Sequence, residues 1–493
     1  VPTGAATAIL ESDDCRRQEV PMPAPTLSPG KRPLGRAAAT ALVVGNMVGA
    51  GVFLLPSALA PFGGLSLVAL LGTAVGAVLL ALVFARLSAA YPAKGGPYVY
   101  ARRAFGDAPG FLTAWGYWIA VWVANAAIAL AFSGYLGYFV PAVADHLWLG
   151  AAVAVLALWV LTAVNLLGLR VAGAVQVGLT VLKVVPLLLV GLAGVFSVTR
   201  ATFSPFNPTG GTAVAGITAA AALTVWAFIG LESATVPADE VEHAEHTVPR
   251  ATIVGTVAAA LVTILATVGV MAVVPLTELG SSTAPFADAA KQLFGSWGGG
   301  LVAVGGLLAT FGALNGWILL QAQVPKAAAD DGLFPSWFGQ TTRGGLPFVG
   351  LVVSSALTTL LLATHASGSL VSLFTRVILI ATLARLVPYL VSTAAQIRLL
   401  FVDRVHFVGA HFFRDGTIAF VALLFAAWTL YAAGREVALW GAGLYALGVP
   451  VYFWLLDRRE RDHLDRPIEG DRTVLEIHEA GLRHPWPPPD PDA

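Results

Sequence analysis

The sequence predicts an all-α membrane protein of about twelve transmembrane helices, on three observations. Of its 493 residues, 57% are hydrophobic and 11% charged, and the mean hydropathy is +0.78, outside the balance of a soluble domain. Apolar runs of about 20 residues, the length that crosses a hydrocarbon core of about 30 Å, recur along the chain. These runs are rich in Ala, Leu, Val and Gly without sustained period-two alternation, which favours helices over an outer-membrane barrel.

Residues 1 to about 36 are polar and Pro-containing, without an apolar signal segment, and read as a disordered tail, so the first span must direct insertion. That span, about 38–61, contains GNMVGAGVFLLP, with Asn46, Gly49, Ala50 and Gly51 well inside the apolar run. Spans two to five follow at about 64–90, 111–140, 148–170 and 174–197. The sixth, about 214–237, contains TVWAFIGLESATVP and so places Gly230 and Glu232 in an otherwise apolar stretch. Spans seven to twelve fall at about 251–274, 297–323, 346–364, 369–397, 415–433 and 436–456. Residues 457–493, ending HPWPPPDPDA, read as a second tail.

Net charge is zero, so no bulk field suggests nucleic acid as a partner. The distribution of charge is more informative. Arg16, Arg17, Lys31, Arg32 and Arg36 precede span one and Lys94, Arg102 and Arg103 follow span two, against only Arg200, Lys291 and Arg435 in the loops of the other side. The positive-inside rule then puts both termini in the cytoplasm of a bacterial-type inner membrane, and an even number of spans, which keeps the termini on one side, agrees with that. Cys15 is the only cysteine, which excludes a disulfide framework and a multi-cysteine metal site within one chain. His243 and His246 lie among acids in a loop that reads as solvated, so no metal and no cofactor is expected. No nucleophile with its base can be assembled, and an enzyme is not expected.

A helix interrupted inside a bilayer leaves backbone groups that only a cavity or a ligand can satisfy. Interruptions in spans one and six, at matching places of a five-plus-five arrangement, point to an inverted-repeat transporter site at the midplane. The competing account is that Gly45 and Gly49, spaced G-x-x-x-G, serve helix packing. The carboxylate of Glu232 weighs against it, because centring such a group costs at least about 2–3 kcal/mol on insertion scales. Free N–H groups at a break suit a carboxylate and free carbonyls an ammonium, so a zwitterionic amino acid fits both.

At these residues the chain resembles the amino acid, polyamine and organocation transporter superfamily, and within it the basic amino acid/polyamine antiporters, arginine/agmatine exchangers included. The resemblance covers about residues 38–456 and rests also on YPAKGGPYVYARRAFGDAPGF, GYWIAVWVAN, WAFIGLESA and KAAADDGLFP. It implies spans one to five and six to ten as inverted repeats (about 38–197 and 214–397), spans eleven and twelve outside them, alternating access, and often a homodimer. It implies that Gly49, Ala50 and Gly51 cradle the substrate carboxylate and that Asn46, Trp226 and Ile229 line the pocket. Tyr117, Trp122 and Asn125 would surround the substrate, with Trp317 as a gate and Glu232 as the proton-sensing acid. Ordinary helix packing is the alternative for each aromatic.

Four ionisable residues fall inside spans: Lys183, Glu232, Arg376 and Arg385. Functional coupling and structural ion pairing compete for each. By the resemblance Lys183 replaces the sodium ion of sodium-driven relatives, which argues against sodium coupling. Arg385 is expected to pair with Glu232 and to disfavour an arginine-like substrate unless that carboxylate balances it. Arg376, half a turn away in phase, should snorkel to a membrane surface. The residues together suggest a proton-linked or exchanging carrier of amino acids or related amines. A neutral amino acid permease or exporter, favoured by Lys183, Ala381 and Arg385, and a non-transporting nutrient sensor are the alternatives.

Overall fold

The computed structural model describes residues 34–48, 50–166, 184–199, 202–342, 347–365, 368–407 and 412–464. Among them nine helical segments are long and apolar enough to cross a membrane, and three shorter apolar helices lie where further spans are expected. The first span is two helices, α1 (Arg36–Met47) and α2 (Ala50–Leu59). Spans two to four are α3 (Leu65–Ala90), α5 (Asp107–Gly137) and α7 (Leu147–Leu166), with the short α4 (Pro97–Phe105) and α6 (Pro141–Asp145) between them. The described part of span five is α8 (Val184–Val195). Span six begins as α9 (Ala213–Thr224); span seven is α10 (Ala244–Val273), followed by the single turn α11 (Leu276–Leu279). Then come α12 (Pro285–Asp330), α13 (Phe348–His365), α14 (Leu370–Val402), α15 (Phe412–Ala432), α16 (Arg435–Ala446) and α17 (Gly448–Leu464).

Three elements depart from the expected spans. The sixth does not resume as an α-helix after its break. Val225–Phe228 tighten into a 3-10 turn, Ile229 turns extended (φ −67°, ψ 133°), Gly230 sits at φ 109°, and only 3-10 pieces follow at Ser233–Thr235 and Ala238–Glu240. Pro237 has no N–H to donate, and Thr235 Oγ1 bonds the Glu232 carbonyl at 2.7 Å, so local bonding competes with a regular helix. The eighth begins earlier, with α12 bent at Gly295 (φ 79°, ψ −176°) into a short arm and the span itself. The twelfth is divided between α16 and α17 at Leu447 and runs on to Leu464.

α5 is the axis of the molecule: 89% of its most apolar 18-residue stretch is buried, against 28% for α15 and 17% for the last span, which therefore form the rim. It packs on α4, α7, α12, α13 and α14. Outward-facing Trp148, Leu156, Phe196, Leu261, Phe413 and Tyr431 are exposed, as lipid-facing positions are. α8 and α10 cross backbone to backbone, since a Cβ on Gly194 would lie 2.3 Å from the Gly269 carbonyl oxygen.

The two interrupted spans are tied at one end. Glu242 N donates to Leu34 O at 3.0 Å, joining the residues before span one to those after span six. Gly95 N donates to Val236 O at 3.0 Å, which sets α4 against the 3-10 tail of span six. Tyr98 of α4 donates to Asp331 Oδ2 at 2.9 Å; burial, then the Asp331 carboxylate, raises the pKa of its hydroxyl and keeps it a donor.

Candidate functional site

The breaks of spans one and six face each other. Val48 leaves helical geometry (φ −78°, ψ 54°) after Met47, and the chain re-enters helix at Ala50. Gly230 lies against this point so closely that an added Cβ would sit 3.2 Å from the carbonyl carbon of Asn46 and 3.3 Å from Met47 N. Its φ of 109° is also one that residues with a Cβ rarely adopt, so glycine is required there on two grounds. Ala50 and Gly51 open α2 on the far side of the break. Gly49 and Lys183 lie outside the described residues.

Glu232, fully buried just beyond the break, is the electrostatic centre. Its Oε1 accepts from Tyr117 Oη of α5 at 3.0 Å and from Arg385 Nη1 of α14 at 2.9 Å, and its Oε2 accepts from Tyr389 Oη of α14. Arg385 is also fully buried, with its guanidinium carbon 3.8 Å from the Tyr117 ring centroid and 5.6 Å from that of Trp317. Desolvated cation–π contacts of this kind contribute about 2 kcal/mol. Charge, aromatic faces and two phenols thus hold the third, sixth, eighth and tenth spans to one carboxylate. Arg385 Nε and Nη2 make no hydrogen bond, although both are buried.

Asn46, Trp122, Trp226, Ile229 and Trp317 are all buried, so the site is closed to solvent in this arrangement. The indole N–H groups of Trp122 and Trp226 make no hydrogen bond. Asn125 is committed to protein: its Nδ2 donates to Gln321 Oε1 of α12 at 2.7 Å, and Gln321 Nε2 donates to Ser355 Oγ of α13 at 2.9 Å. Ser355 in turn shares a hydrogen bond of 2.8 Å with Thr162 of α7. Asn165 of α7 donates to Asn315 Oδ1 of α12 at 2.8 Å. Amides and hydroxyls therefore stitch α5, α7, α12 and α13 together beside the carboxylate. Arg376 is separate from the cluster; its Nε donates to Ser372 O at 3.4 Å in the first turns of α14.

Sequence reasoning missed Tyr389 and Gln321. Each carried one signal: Tyr389 is one helical turn from Arg385, and Gln321 one turn from Trp317, so each shares a face with a residue already singled out.

The family profile described as amino acid permease matches residues 34–454. The putrescine transporter PotE of Escherichia coli is 33% identical over 423 residues, covering 85% of this chain and 95% of that protein. PotE of Haemophilus influenzae is 32% identical over 424 residues, covering 85% and 96%. A cadaverine/lysine antiporter of Escherichia coli is 35% identical over 382 residues, covering 76% and 85%. The profile match runs from before the first helix into the last and takes in both facing breaks and the buried carboxylate between them, and on it this chain belongs to the amino acid permease family of membrane transporters.

Proposed function

We propose that the chain exchanges amino acids or related amines by alternating access, with the substrate's charged groups held at the facing breaks of spans one and six. One observation carries the reading: Gly230 lies against Asn46 and Met47 where both helices are interrupted, with the buried Glu232 two residues on. Backbone groups freed at a midplane break suit a zwitterion's carboxylate and ammonium. In this reading Asn46, Gly49, Ala50, Gly51, Trp226 and Ile229 form the pocket. Tyr117, Trp122 and Asn125 flank it, Trp317 gates it, and Lys183, Glu232 and Arg385 couple ions to movement. The name of one relative, a cadaverine/lysine antiporter, favours exchange over one-way passage.

The test is counterflow in proteoliposomes preloaded with single unlabelled amino acids or amines. Uptake of label that depends on the internal substrate supports exchange, and uptake equal in loaded and empty vesicles refutes it. Both termini are proposed to be cytoplasmic from the basic residues flanking spans one and two. Cys15, the only cysteine, reports on this: an impermeant maleimide should label inverted vesicles and spare right-side-out ones. A homodimer is proposed from the resemblance, and mass measurement of the detergent-solubilised protein tests it.

A further inference from the structure

Arg385 uses only part of its hydrogen-bonding capacity. A guanidinium carries five N–H bonds in a rigid plane. Nη1 serves Glu232 at 2.9 Å and the guanidinium also interacts with the Tyr117 hydroxyl, while Nε and Nη2 are buried without a hydrogen bond of regular geometry. These two nitrogens share one edge of the plane, where their N–H bonds run parallel. That edge is the fork onto which the two oxygens of a carboxylate fit. Thr382, one turn earlier on α14, adds a buried hydroxyl that also makes no hydrogen bond.

The charges balance, so unused hydrogen-bonding capacity decides between ligands. Glu232 and Arg385 cancel, and the remaining groups on the carboxylate, Tyr117 and Tyr389, are neutral donors. Three donors already occupy the two oxygens of Glu232, which offer about four lone-pair positions. A substrate cation arriving here would meet Arg385 in a low-dielectric interior and find the carboxylate almost fully used. An anion that reached Arg385 would find the Nε/Nη2 edge unused.

The geometry points to a carboxylate-bearing side chain as the substrate group received by Arg385, and so to a dicarboxylic amino acid of aspartate or glutamate type as the preferred substrate. This rests on the reading of the facing breaks as the transport site. It sets the chain apart in specificity from the relatives named for putrescine and for cadaverine and lysine. Arg385 then acts as the specificity determinant, with Glu232, Tyr117 and Trp317 holding its plane.

The test is counterflow of labelled glutamate, glutamine, arginine and putrescine by the full chain in proteoliposomes at neutral pH. Glutamate is expected to half-saturate exchange at a concentration lower than glutamine by about tenfold or more, with arginine and putrescine weaker still. Arg385→Lys keeps the positive charge but loses the fork, and should bring glutamate and glutamine to within about twofold of each other while the melting temperature shows the protein folded. Arginine or putrescine preferred over glutamate by the wild type overturns the inference and leaves the exchanger reading standing. So does a glutamate preference kept intact in Arg385→Lys. No counterflow with any of the four overturns the inference, and the exchanger reading falls with it only if the other preloaded amino acids and amines also give none.

Discussion

Replacing Arg385 by Met should destabilise the protein by about 3–5 kcal/mol, because it leaves the Glu232 carboxylate buried with no countercharge. The side chains of both partners are 0% exposed, so water cannot take the place of the lost guanidinium. Glu232 would keep its hydrogen bonds from Tyr117 and Tyr389, which places the expected loss near the lower end, about 3 kcal/mol, or roughly a hundredfold in the folded-to-unfolded ratio. The double variant Glu232→Gln/Arg385→Met removes both charges and should recover about 2 kcal/mol of that loss, since a buried pair replaced by uncharged groups is close to neutral. Unfolding in mixed micelles titrated with SDS, followed by the fluorescence of the protein's 13 tryptophans, measures all the corners of this cycle. A single variant within about 1 kcal/mol of wild type, or a double variant no better than the single, refutes the ion pair as the electrostatic centre of the site.

Gly230→Ala should abolish exchange and cost about 1–3 kcal/mol, from the φ of 109° together with the 3.2 Å approach to Asn46; a melt and a counterflow assay read the two effects, and wild-type behaviour in both sinks the account of the break. Gln321→Ala removes the amide that joins Asn125 to Ser355 and should lower stability in a melt by about 1–3 kcal/mol, because the buried Asn125 Nδ2 loses its acceptor and Ser355 keeps only Thr162. Outside the spans, burial tends to raise the Asp403 carboxyl, but hydrogen bonds from Tyr91 and His406 outweigh it and hold its pKa below the ordinary value. A depressed folded pKa adds stability above the unfolded value of about 3.9 and loses it as pH falls through the folded one. The melting temperature of Tyr91→Phe should therefore lie below that of wild type at pH 7, with the gap narrowing below about pH 4; a gap that does not change with pH contradicts the linkage.

Charge made part of this site legible in the sequence. Glu232 and Arg385 stand out in apolar runs because burying either is costly, and that cost also argues for their pairing. Tyr389 and Gln321 escape notice for the converse reason. A phenol or an amide in a span costs little on a hydropathy scale, and only the partner across the fold gives it a role. The break of span one shows in its Gly and Asn residues. The irregular second half of span six does not, because hydropathy carries no information on φ, and LESATVP reads as apolar whether it is a helix or a run of 3-10 turns. The short arm of α12 before Gly295 was hidden similarly: Pro285–Phe294 is helical but mixed in polarity, so the apolar run starts only after the bend.

The amide contacts between α7, α5 and α12 impose an order on synthesis. Asn125 and Asn165 reach the membrane while their partners Gln321 and Asn315, 196 and 150 residues further along, have yet to be made. At a translation rate of about 5–20 residues per second the first of these amides waits roughly 10–40 s for its mate. Asn165 can wait with its Nδ2 on the Leu161 carbonyl of its own helix, at 2.8 Å, whereas the Asn125 amide costs free energy in lipid until α12 arrives, which favours shielding of α5 by its neighbours meanwhile. Slowing translation between α7 and α12 would lengthen that exposure and raise the share of chains surrendered to membrane proteases before the last spans are made.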